Sequence, residues 1–456
     1  MRYIITLGLL LITSWLPAQD KSDADVIRSL YEEALSSREA YKNLEWLCKN
    51  TAGRICGTPE AAAAVEFTYQ TMLKMGLDKV WKQDVMVKNW KRGEPEQGRI
   101  VSDVYGTTDV PVCALGLSPG TGDEGVVGEA VELFSLEELD KKKDLVRGKI
   151  VFLNRPMDQT QIQTFSAYGG AIDQRTTGPA RAAKYGAIAC LVRSMNPALD
   201  DFPHTGQTRF ENEDEQVPAF AVSTNGADLL SRQLKKDSDL KVFLCSTCQT
   251  YPDVPSHNVI GEIRGSEYPN EIITIGGHLD AWELGEGAHD DGGGCIQSIE
   301  VLRLFLAKGI RPKHTIRAVM FMDEELASRG GKVYADRAKE LGEKHIAAME
   351  SDRGVLSPRA VSVATTPERY AKAEKWESLF LPYDLKMVKG GGGSDISPLR
   401  NYYPDIVYLG MMPDNQRYFR FHHSAFDVFE QVDRREMQMG AASMAAMVYL
   451  FDRYGL

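Results

Sequence analysis

The sequence lacks an excess of basic charge and lacks two familiar signatures of catalytic sites. The chain of 456 residues has 53 Lys and Arg against 64 Asp and Glu, which gives a formal net charge of -11. An acidic protein has no electrostatic attraction for a phosphate backbone, so we expect no nucleic-acid partner. No HExxH helix and no phosphate-binding P-loop occur in the sequence. Their absence excludes the simplest zinc-helix and nucleotide-dependent chemistries.

Cysteine is also scarce, and its spacing indicates no disulfide framework. The seven cysteines are odd in number and scattered along the chain, which is unlike the pattern of a disulfide-rich secreted domain. Cys245 and Cys248 form one CxxC pair, but no second pair and no paired histidine motif accompanies them. We therefore interpret them as strand-end cysteines, with a local disulfide as the alternative.

An apolar run occupies the amino terminus, and no later run is long enough to cross a membrane. Arg2 precedes the apolar stretch from Tyr3 to Leu16, and the polar sequence begins shortly after Ala18. About 14 apolar residues are fewer than the roughly 20 that a membrane-spanning helix needs. The layout predicts a cleavable secretory signal over residues 1–18. We expect an exported protein, periplasmic or secreted, without a membrane span.

Hydrophobic periodicity predicts an α/β fold with a three-layer αβα architecture and a mainly parallel mixed sheet. Helical spacing dominates from residue 24 to about residue 77, and an extended segment follows from Trp81 to Trp90. After His257, apolar strand-like runs alternate with amphipathic helices, as in parallel sheets that carry helices on both faces. These two regions, 19–104 and 249–456, are predicted to form one catalytic domain.

Residues 105–248 have a different texture and predict an inserted, β-rich domain. Short apolar runs are separated there by Gly, Pro and Asp, and one helix, PARAAKYGA from Pro179 to Ala187, leads directly into the run Ile188–Val192. The order KIVFLNR, ARAAKYGAIACLVR and VPAFAVS resembles a protease-associated domain. That resemblance implies a cap over the catalytic domain.

Polar residues follow the predicted strands at their carboxyl ends, where the working residues of open α/β sheets gather. They are His278 and Asp280 after the run Ile272–Ile275, Glu324 and Glu325 after Ile316–Met322, Asp352 after Ile346–Met349, and His422 and His423 beyond Ile406–Met412, with Asp290 and Asp291 just before a helix. Alone, a Glu-Glu pair is usually a solvated helix start and Asp-Asp-Gly a turn. Their joint occurrence at strand ends favours a site.

The residue types in this set suit a zinc hydrolase. Imidazole and carboxylate ligands bind zinc, and several carboxylates hold two cations when one carboxylate bridges them. Two metals polarise a carbonyl and lower the pKa of a shared water. The reaction also needs a general base that is not a ligand. Adjacent Glu324 and Glu325 would supply one base and one ligand.

The motifs GGHLDAWELGEGAHDDGGG, MDEEL, MESD and FHHSAFD resemble those of the co-catalytic zinc aminopeptidases, and most closely the plasma glutamate carboxypeptidase (carboxypeptidase Q) branch. The spacing is the specific part, with 12 residues from His278 to Asp290 and 27 from Glu325 to Asp352. Together with the protease-associated segment, the resemblance covers nearly the whole mature chain.

The resemblance implies two zinc ions and a role for each site residue. One zinc would be held by His278, Asp290 and Asp352, and the second by Asp290, Glu325 and His423. Glu324 would be the general base, and Asp280 would accept a hydrogen bond from the His278 imidazole. The peptide bond between Asp290 and Asp291 would be cis.

Two departures from the family pattern concern residues beside the ligands. His422 stands where many relatives place a tyrosine that stabilises the oxyanion, and an imidazole N–H could replace that donor. Asp323 replaces a small residue, and its role is open. The glycine run 390–393 resembles a flexible segment near the substrate pocket, which makes Ser394 and Asp395 substrate-binding candidates. We expect the remaining histidines (His204, His257, His289, His314 and His345) to be structural or exposed.

The expected substrates are dipeptides or short peptides, and homodimerisation is implied only by analogy. Two other functions stay open. A glutaminyl cyclase shares this sheet but keeps a single zinc, and a receptor-like ectodomain keeps the architecture without a metal site. The presence of His278 and of the full ligand set opposes the first, whereas intact ligands and an intact Glu324 oppose the second.

Overall fold

The computed structural model describes residues 22–212 and 216–456. The predicted signal segment, residues 1–18, lies outside the described residues. The helices are α1 Asp23–Ser36, α2 Glu39–Asn50, α3 Pro59–Lys74, α4 Leu136–Lys141, α5 Thr164–Gly169, α6 Asp173–Thr176, α7 Gly178–Lys184, α8 Thr224–Leu234, α9 Gly293–Ala307, α10 Glu324–Ala327, α11 Arg329–Glu340, α12 Pro367–Lys375, α13 Glu377–Phe380, α14 Tyr418–Phe421 and α15 Arg434–Tyr454.

Local sequence signals explain where several of these helices begin. Ser22, Thr58 and Asp433 accept a hydrogen bond from a main-chain N–H in the first turn of α1, α3 and α15, respectively. Short polar side chains at this position satisfy N–H groups that have no partner within the helix. In α3 the cap is followed by Pro59, whose missing N–H costs nothing at the first helical position.

The strands form two separate sheets. They are β1 Lys79–Lys91, β2 Gln97–Ser102, β3 Gly106–Asp109, β4 Val112–Ala114, β5 Gly122–Leu133, β6 Ile150–Leu153, β7 Ala189–Arg193, β8 Ala219–Val222, β9 Lys241–Ser246, β10 Gln249–Ile263, β11 Tyr268–His278, β12 His314–Phe321, β13 Lys344–Glu350, β14 Pro358–Ala364, β15 Lys386–Lys389 and β16 Val407–Pro413.

The first sheet is mixed, with the strand order β1-β10-β12-β11-β13-β16-β14-β15. Its four central strands, β12, β11, β13 and β16, run parallel to one another. β1 pairs antiparallel with β10, β10 with β12, and β14 with β16, whereas the edge strand β15 pairs parallel with β14. The carboxyl ends of the four parallel strands therefore meet at one edge of the sheet. This arrangement brings together the residues that follow them.

Helices cover both faces of the first sheet. Along β12, Ala318 and Met320 belong to a large core cluster that includes α9 and α15, whereas Val319 and Phe321 pack in a separate cluster with Tyr334 of α11. Alternate residues of a strand point to opposite faces, so α9 and α11 lie on opposite sides. The mixed α/β fold predicted from the alternation of strands and helices is confirmed.

The second sheet is also mixed, with the order β3-β2-β9-β5-β6-β7-β8-β4, and it lies between β1 and β10 in the chain. Its first strand begins at Gln97, ahead of the predicted boundary at residue 105. The predicted helix before the run Ile188–Val192 is present as α7, which is followed by β7.

No helix in residues 22–212 and 216–456 is long and apolar enough to cross a membrane. All seven cysteines are buried free thiols, including Cys245 and Cys248, so the alternative of a local disulfide is not realised.

Candidate metal centre

The predicted ligands converge at the carboxyl edge of the four parallel strands. His278 is the last residue of β11, Glu325 lies in α10 directly after β12, Asp352 follows β13, and His423 follows β16 and α14. Asp290 comes from the turn Ala288–Gly292 that precedes α9. The peptide bond from Asp290 to Asp291 is cis, as the resemblance implied.

Asp290 lies between two groups of potential ligands. On one side, His278 Nε2 is 3.3 Å from Asp290 Oδ1 and 3.6 Å from Asp352 Oδ1. On the other side, His423 Nε2 is 3.4 Å from Asp290 Oδ2 and 3.2 Å from Glu325 Oε2. The ligand atoms of His278, Asp290 and Asp352 all lie within 4.8 Å of one another. The same holds for those of Asp290, His422 and His423.

The buried carboxylates of this centre have acceptor atoms without a donor. Asp290 Oδ2 and Glu325 Oε1 are buried and have no hydrogen-bond partner among the described residues. Burial and the neighbouring Asp290 raise the pKa of Glu325 well above its usual value. Buried acceptors and crowded negative charge are both costly without a cation. The donor set therefore fits zinc.

His278 shares its outer nitrogen with two carboxylates. Burial alone would lower the pKa of His278, but its hydrogen bonds with Asp290 and Asp352 raise this pKa well above the usual value. An imidazole that shares a proton with two carboxylates is also placed to share a divalent cation with them. The inner nitrogen, Nδ1, bonds to the main-chain carbonyl of Asp280 at 2.9 Å. This contact orients the ring.

Asp280 accepts the hydrogen bond from the His278 imidazole, as expected, and does so through its main-chain carbonyl. The carboxylate instead accepts the main-chain N–H groups of Glu324 and Glu325, at 3.1 and 3.3 Å. It therefore caps the short helix α10 and sets the position of the glutamate pair. Asp291 has a similar supporting role, because its carboxylate accepts the N–H groups of His278 and Gly294 at 3.1 Å each.

Glu324 lies beside the ligands and faces the same cavity. Burial raises the pKa of Glu324 to about 7. Its Oε1 accepts a hydrogen bond from Ser394 Oγ at 2.8 Å. Ser394, a predicted substrate-binding residue, thus contacts the candidate base.

Asp395 does not line the cavity. It is 1% exposed, its main-chain N–H points to Glu350 Oε1 at 3.5 Å, and both of its carboxyl oxygens lack a hydrogen-bond partner among the described residues. This position argues against the direct substrate contact predicted for Asp395.

His422 lines the cavity, as an oxyanion donor must, and its ring stacks on that of His423 with centroids 3.6 Å apart. Its Nδ1 is buried without a hydrogen-bond partner, and burial holds the pKa of His422 well below its usual value. Tyr418, four positions earlier, is a second buried donor in this wall that the motifs did not reveal.

Asp323 faces away from the ligands, which accounts for a residue that the sequence left unexplained. Its carboxylate accepts Cys56 Sγ–H at 3.2 Å and the N–H of Lys88 at 3.4 Å. Its backbone is left-handed, with φ 68°. Asp323 therefore supports the turn from β12 into α10 and takes no part in the cavity.

The cavity has a volume of about 240 Å³, and part of its wall comes from the chain segment that forms the second sheet, residues 97–246. Tyr168, Arg175 and Arg209 lie on its wall. Arg175 is 4% exposed and donates to Tyr168 Oη at 2.7 Å. Within the described part of the chain it makes no ion pair, and its Nε has no hydrogen-bond partner. No sequence motif marked these residues.

Two further residues hold the turn that carries Asp290. Arg54 is fully buried and donates to the main-chain carbonyls of Leu279, Glu286 and Gly287. Asp427 accepts the N–H groups of His289 and Asp290, at 2.8 and 3.1 Å. Both supports act on main-chain atoms, so sequence spacing gave no signal for them.

The chain is similar in sequence and in structure to known peptidases. The model of a family described as peptidase family M28 matches residues 258–448. Human carboxypeptidase Q is 31% identical over 435 residues, which cover 94% of this chain and 89% of that protein. Aminopeptidase YwaD of Bacillus subtilis strain 168 is 22% identical, with 98% and 91% covered. A solved peptidase M28 precursor from Shewanella amazonensis SB2B is 28% identical, with a TM-score of 0.89 and coverage of 94% of this chain and 96% of that one.

Proposed function

Because the chain belongs to peptidase family M28, we propose that it is a two-zinc exopeptidase that hydrolyses the amino-terminal peptide bond of dipeptides or short peptides. The observation that carries the proposal is the division of Asp290 between two ligand groups. Its Oδ1 faces His278 and its Oδ2 faces His423. A carboxylate in this position would be able to hold a cation on each side.

The ligand roles follow from these contacts. His278, Asp290 and Asp352 would hold one zinc, and Asp290, Glu325 and His423 would hold the other. When bound, the two ions would polarise the scissile carbonyl and lower the pKa of the attacking water. The five proposed ligands are more than a single-zinc glutaminyl cyclase needs. A cyclase site would leave His278 without a metal.

Glu324 is the general base of the proposed mechanism, since it is the cavity carboxylate that is not a ligand. It takes a proton from the attacking water and delivers that proton to the leaving amine. The hydrogen bond from Ser394 Oγ holds its carboxylate in place. His422 is the proposed donor to the oxyanion, because one of its nitrogens is buried at the cavity without a partner.

The cavity favours small substrates with a free carboxylate. Its volume of about 240 Å³ lies below the roughly 300–1,000 Å³ of pockets that enclose drug-sized ligands. Arg175 is a buried guanidinium at its wall without a carboxylate partner among the described residues. Burying an unpaired charge is costly, and the carboxylate of a dipeptide would neutralise it. We propose that Arg175 recognises this group.

A substrate series tests the proposal. Hydrolysis of an unblocked dipeptide should stop with a zinc chelator and with an acetylated amino terminus. Amidation of the carboxyl terminus should raise KM. Arg175→Met should raise KM for the free dipeptide but leave the amide nearly unchanged, so each substrate is the control for the other. Cleavage that is insensitive to the chelator, or cyclisation of an amino-terminal glutamine, would contradict the proposed function.

Export and assembly complete the proposal. The amino-terminal sequence supports a cleaved signal over residues 1–18, which mass spectrometry of the mature protein would detect as a new terminus after Ala18. The segment that contains the second sheet would be the protease-associated cap. Homodimerisation stays a prediction, which light scattering on the purified protein would check.

A further inference from the structure

A loop of the second sheet's segment, residues 204–206, makes three close contacts with the turn that carries the last zinc ligand. The N–H of Thr205 donates to the main-chain carbonyl of His423 at 2.9 Å. His204 Nδ1 is 2.7 Å from the carbonyl of His422. The imidazole Nδ1 of His423 is 3.2 Å from the carbonyl of Thr205. Both the backbone and the ring of His423 are therefore held from outside its own sheet.

The turn needs such support because its backbone is in an unfavourable conformation. His423 has φ 62°, in the left-handed region that side-chain-bearing residues seldom adopt. A strained residue persists only where its surroundings hold it. The two carbonyls that the loop contacts belong to His423 and to the residue before it, so the contacts hold both sides of the strained position.

The hydrogen-bond pattern also sets which nitrogen of each ring carries the proton. Asn196 Nδ2 lies 3.2 Å from His204 Nε2, and because this amide nitrogen can only donate, His204 carries its proton on Nδ1 and donates to His422. At His423, Nδ1 lies 3.2 Å from the Thr205 carbonyl, which can only accept, and 3.4 Å from Arg175 Nη1, which can only donate. The shorter contact favours a proton on Nδ1. The lone pair of His423 Nε2 then faces Asp290 and Glu325, as a zinc ligand requires.

The loop is itself anchored to the second sheet. Ser194 Oγ, just beyond β7, accepts the N–H of His204 at 2.9 Å and donates to the carbonyl of Val222 at 2.7 Å. Thr205 Oγ1 donates to the carbonyl of Ala114 in β4 at 2.8 Å. Gly206 has φ 134°, and a side chain there would collide with the guanidinium of Arg175. The loop is thus a built connection between the second sheet and the metal centre.

We propose that His204 and Thr205 are positioning residues that hold His423 in its ligating orientation. The second-sheet segment then completes one of the two zinc sites, in addition to covering the cavity. The inference rests on the proposed two-zinc function, and it assigns a role to His204, which the sequence alone predicted to be structural or exposed.

The test compares His204→Asn with His204→Gln. Both replacements are polar, but the asparagine amide nitrogen occupies nearly the position of Nδ1, whereas the glutamine nitrogen reaches towards the position of Nε2. Metal-free protein is reloaded with zinc in competition with a chelator, and both binding steps are measured. We expect near wild-type affinity for the asparagine variant. For the glutamine variant we expect one step weakened by about 10–100-fold, as is common for residues behind a ligand, and kcat that recovers with excess zinc.

His345→Gln is the matched control, because His345 is another buried histidine but lies at the opposite end of β13. It should leave both zinc affinities unchanged. Equal zinc binding by the two His204 variants would overturn the inference. If the glutamine variant does not fold, Ser194→Ala, which removes the anchor on the N–H of His204, should weaken the same step. Fewer than two zinc ions in the wild-type protein would instead contradict the proposed function.

Discussion

Replacing Glu324 by Gln should abolish most of the activity and leave the metal content unchanged. The carboxylates that line the cavity are those of Asp290, Glu324, Glu325 and Asp352. All except Glu324 are assigned to zinc, so among the described residues no other carboxylate that lines the cavity is free to act as the base. Glu350 cannot substitute, because its carboxylate is 2% exposed and accepts the N–H of Ile396 at 3.0 Å.

The size of the effect follows from the chemistry that is lost. A positioned general base contributes about 10²–10⁴ in rate, which corresponds to roughly 3–5 kcal/mol of activation free energy. Glutamine keeps the oxygen that accepts from Ser394, so the cavity should keep its shape. Initial rates on a dipeptide would show a fall in kcat with little change in KM, and zinc content per chain would match wild type.

The control for this prediction is Glu271→Gln, which changes a glutamate at the amino end of the same sheet and should leave kcat unchanged. If Glu324→Gln kept more than about a tenth of the wild-type rate, the proton transfer assigned to it would be wrong, because one general base accounts for at least about a hundredfold. If the variant lost zinc, Glu324 would be a ligand and not the base.

Two further predictions concern residues that stabilise the fold, one beside the site and one at the opposite edge of the sheet. Arg54→Lys keeps the charge but loses the planar guanidinium that donates to three carbonyls. Each lost charge-assisted hydrogen bond is worth about 1.5–3 kcal/mol, so calorimetry should show a lower unfolding midpoint. An unchanged midpoint would refute this role. Glu343 is partly buried, which would raise its pKa, but hydrogen bonds with His345 and Arg317 lower this pKa to about 2. Its stabilising contribution is therefore present above its usual pKa of about 4.5 and is lost as pH falls towards about 2. Glu343→Gln should flatten the decline of the unfolding midpoint over that range, and a parallel decline would contradict the assignment.

Much of the catalytic domain was predictable because its elements have strong local signals. The strands predicted at Ile272–Ile275 and Ile346–Met349 are present within Tyr268–His278 and Lys344–Glu350. Parallel strands that are buried on both faces read as continuous apolar runs. The polar residues after them then fall at the carboxyl edge by necessity.

The contacts that hold the site residues in place were not predictable, because they involve main-chain atoms and distant parts of the chain. The sequence predicted that Asp280 accepts a hydrogen bond from His278, but gave no sign that its carboxylate would accept the N–H groups of Glu324 and Glu325. Arg54 and Arg175 reach the centre from more than a hundred residues away, and no spacing rule links them to the ligands. β2 begins at Gln97, ahead of the predicted boundary at residue 105, and follows the end of β1 at Lys91 after a short polar segment.

The measurement that tests the central claim most directly is the number of zinc ions bound per chain, in the wild-type protein and in Asp290→Ala. The account predicts two ions for wild type. It predicts a loss of binding at both sites for the variant, since the bridging carboxylate belongs to each of them. One zinc in the wild-type protein, or two in the variant with unchanged affinity, would contradict the assignment of Asp290 as the bridge and with it the two-zinc centre.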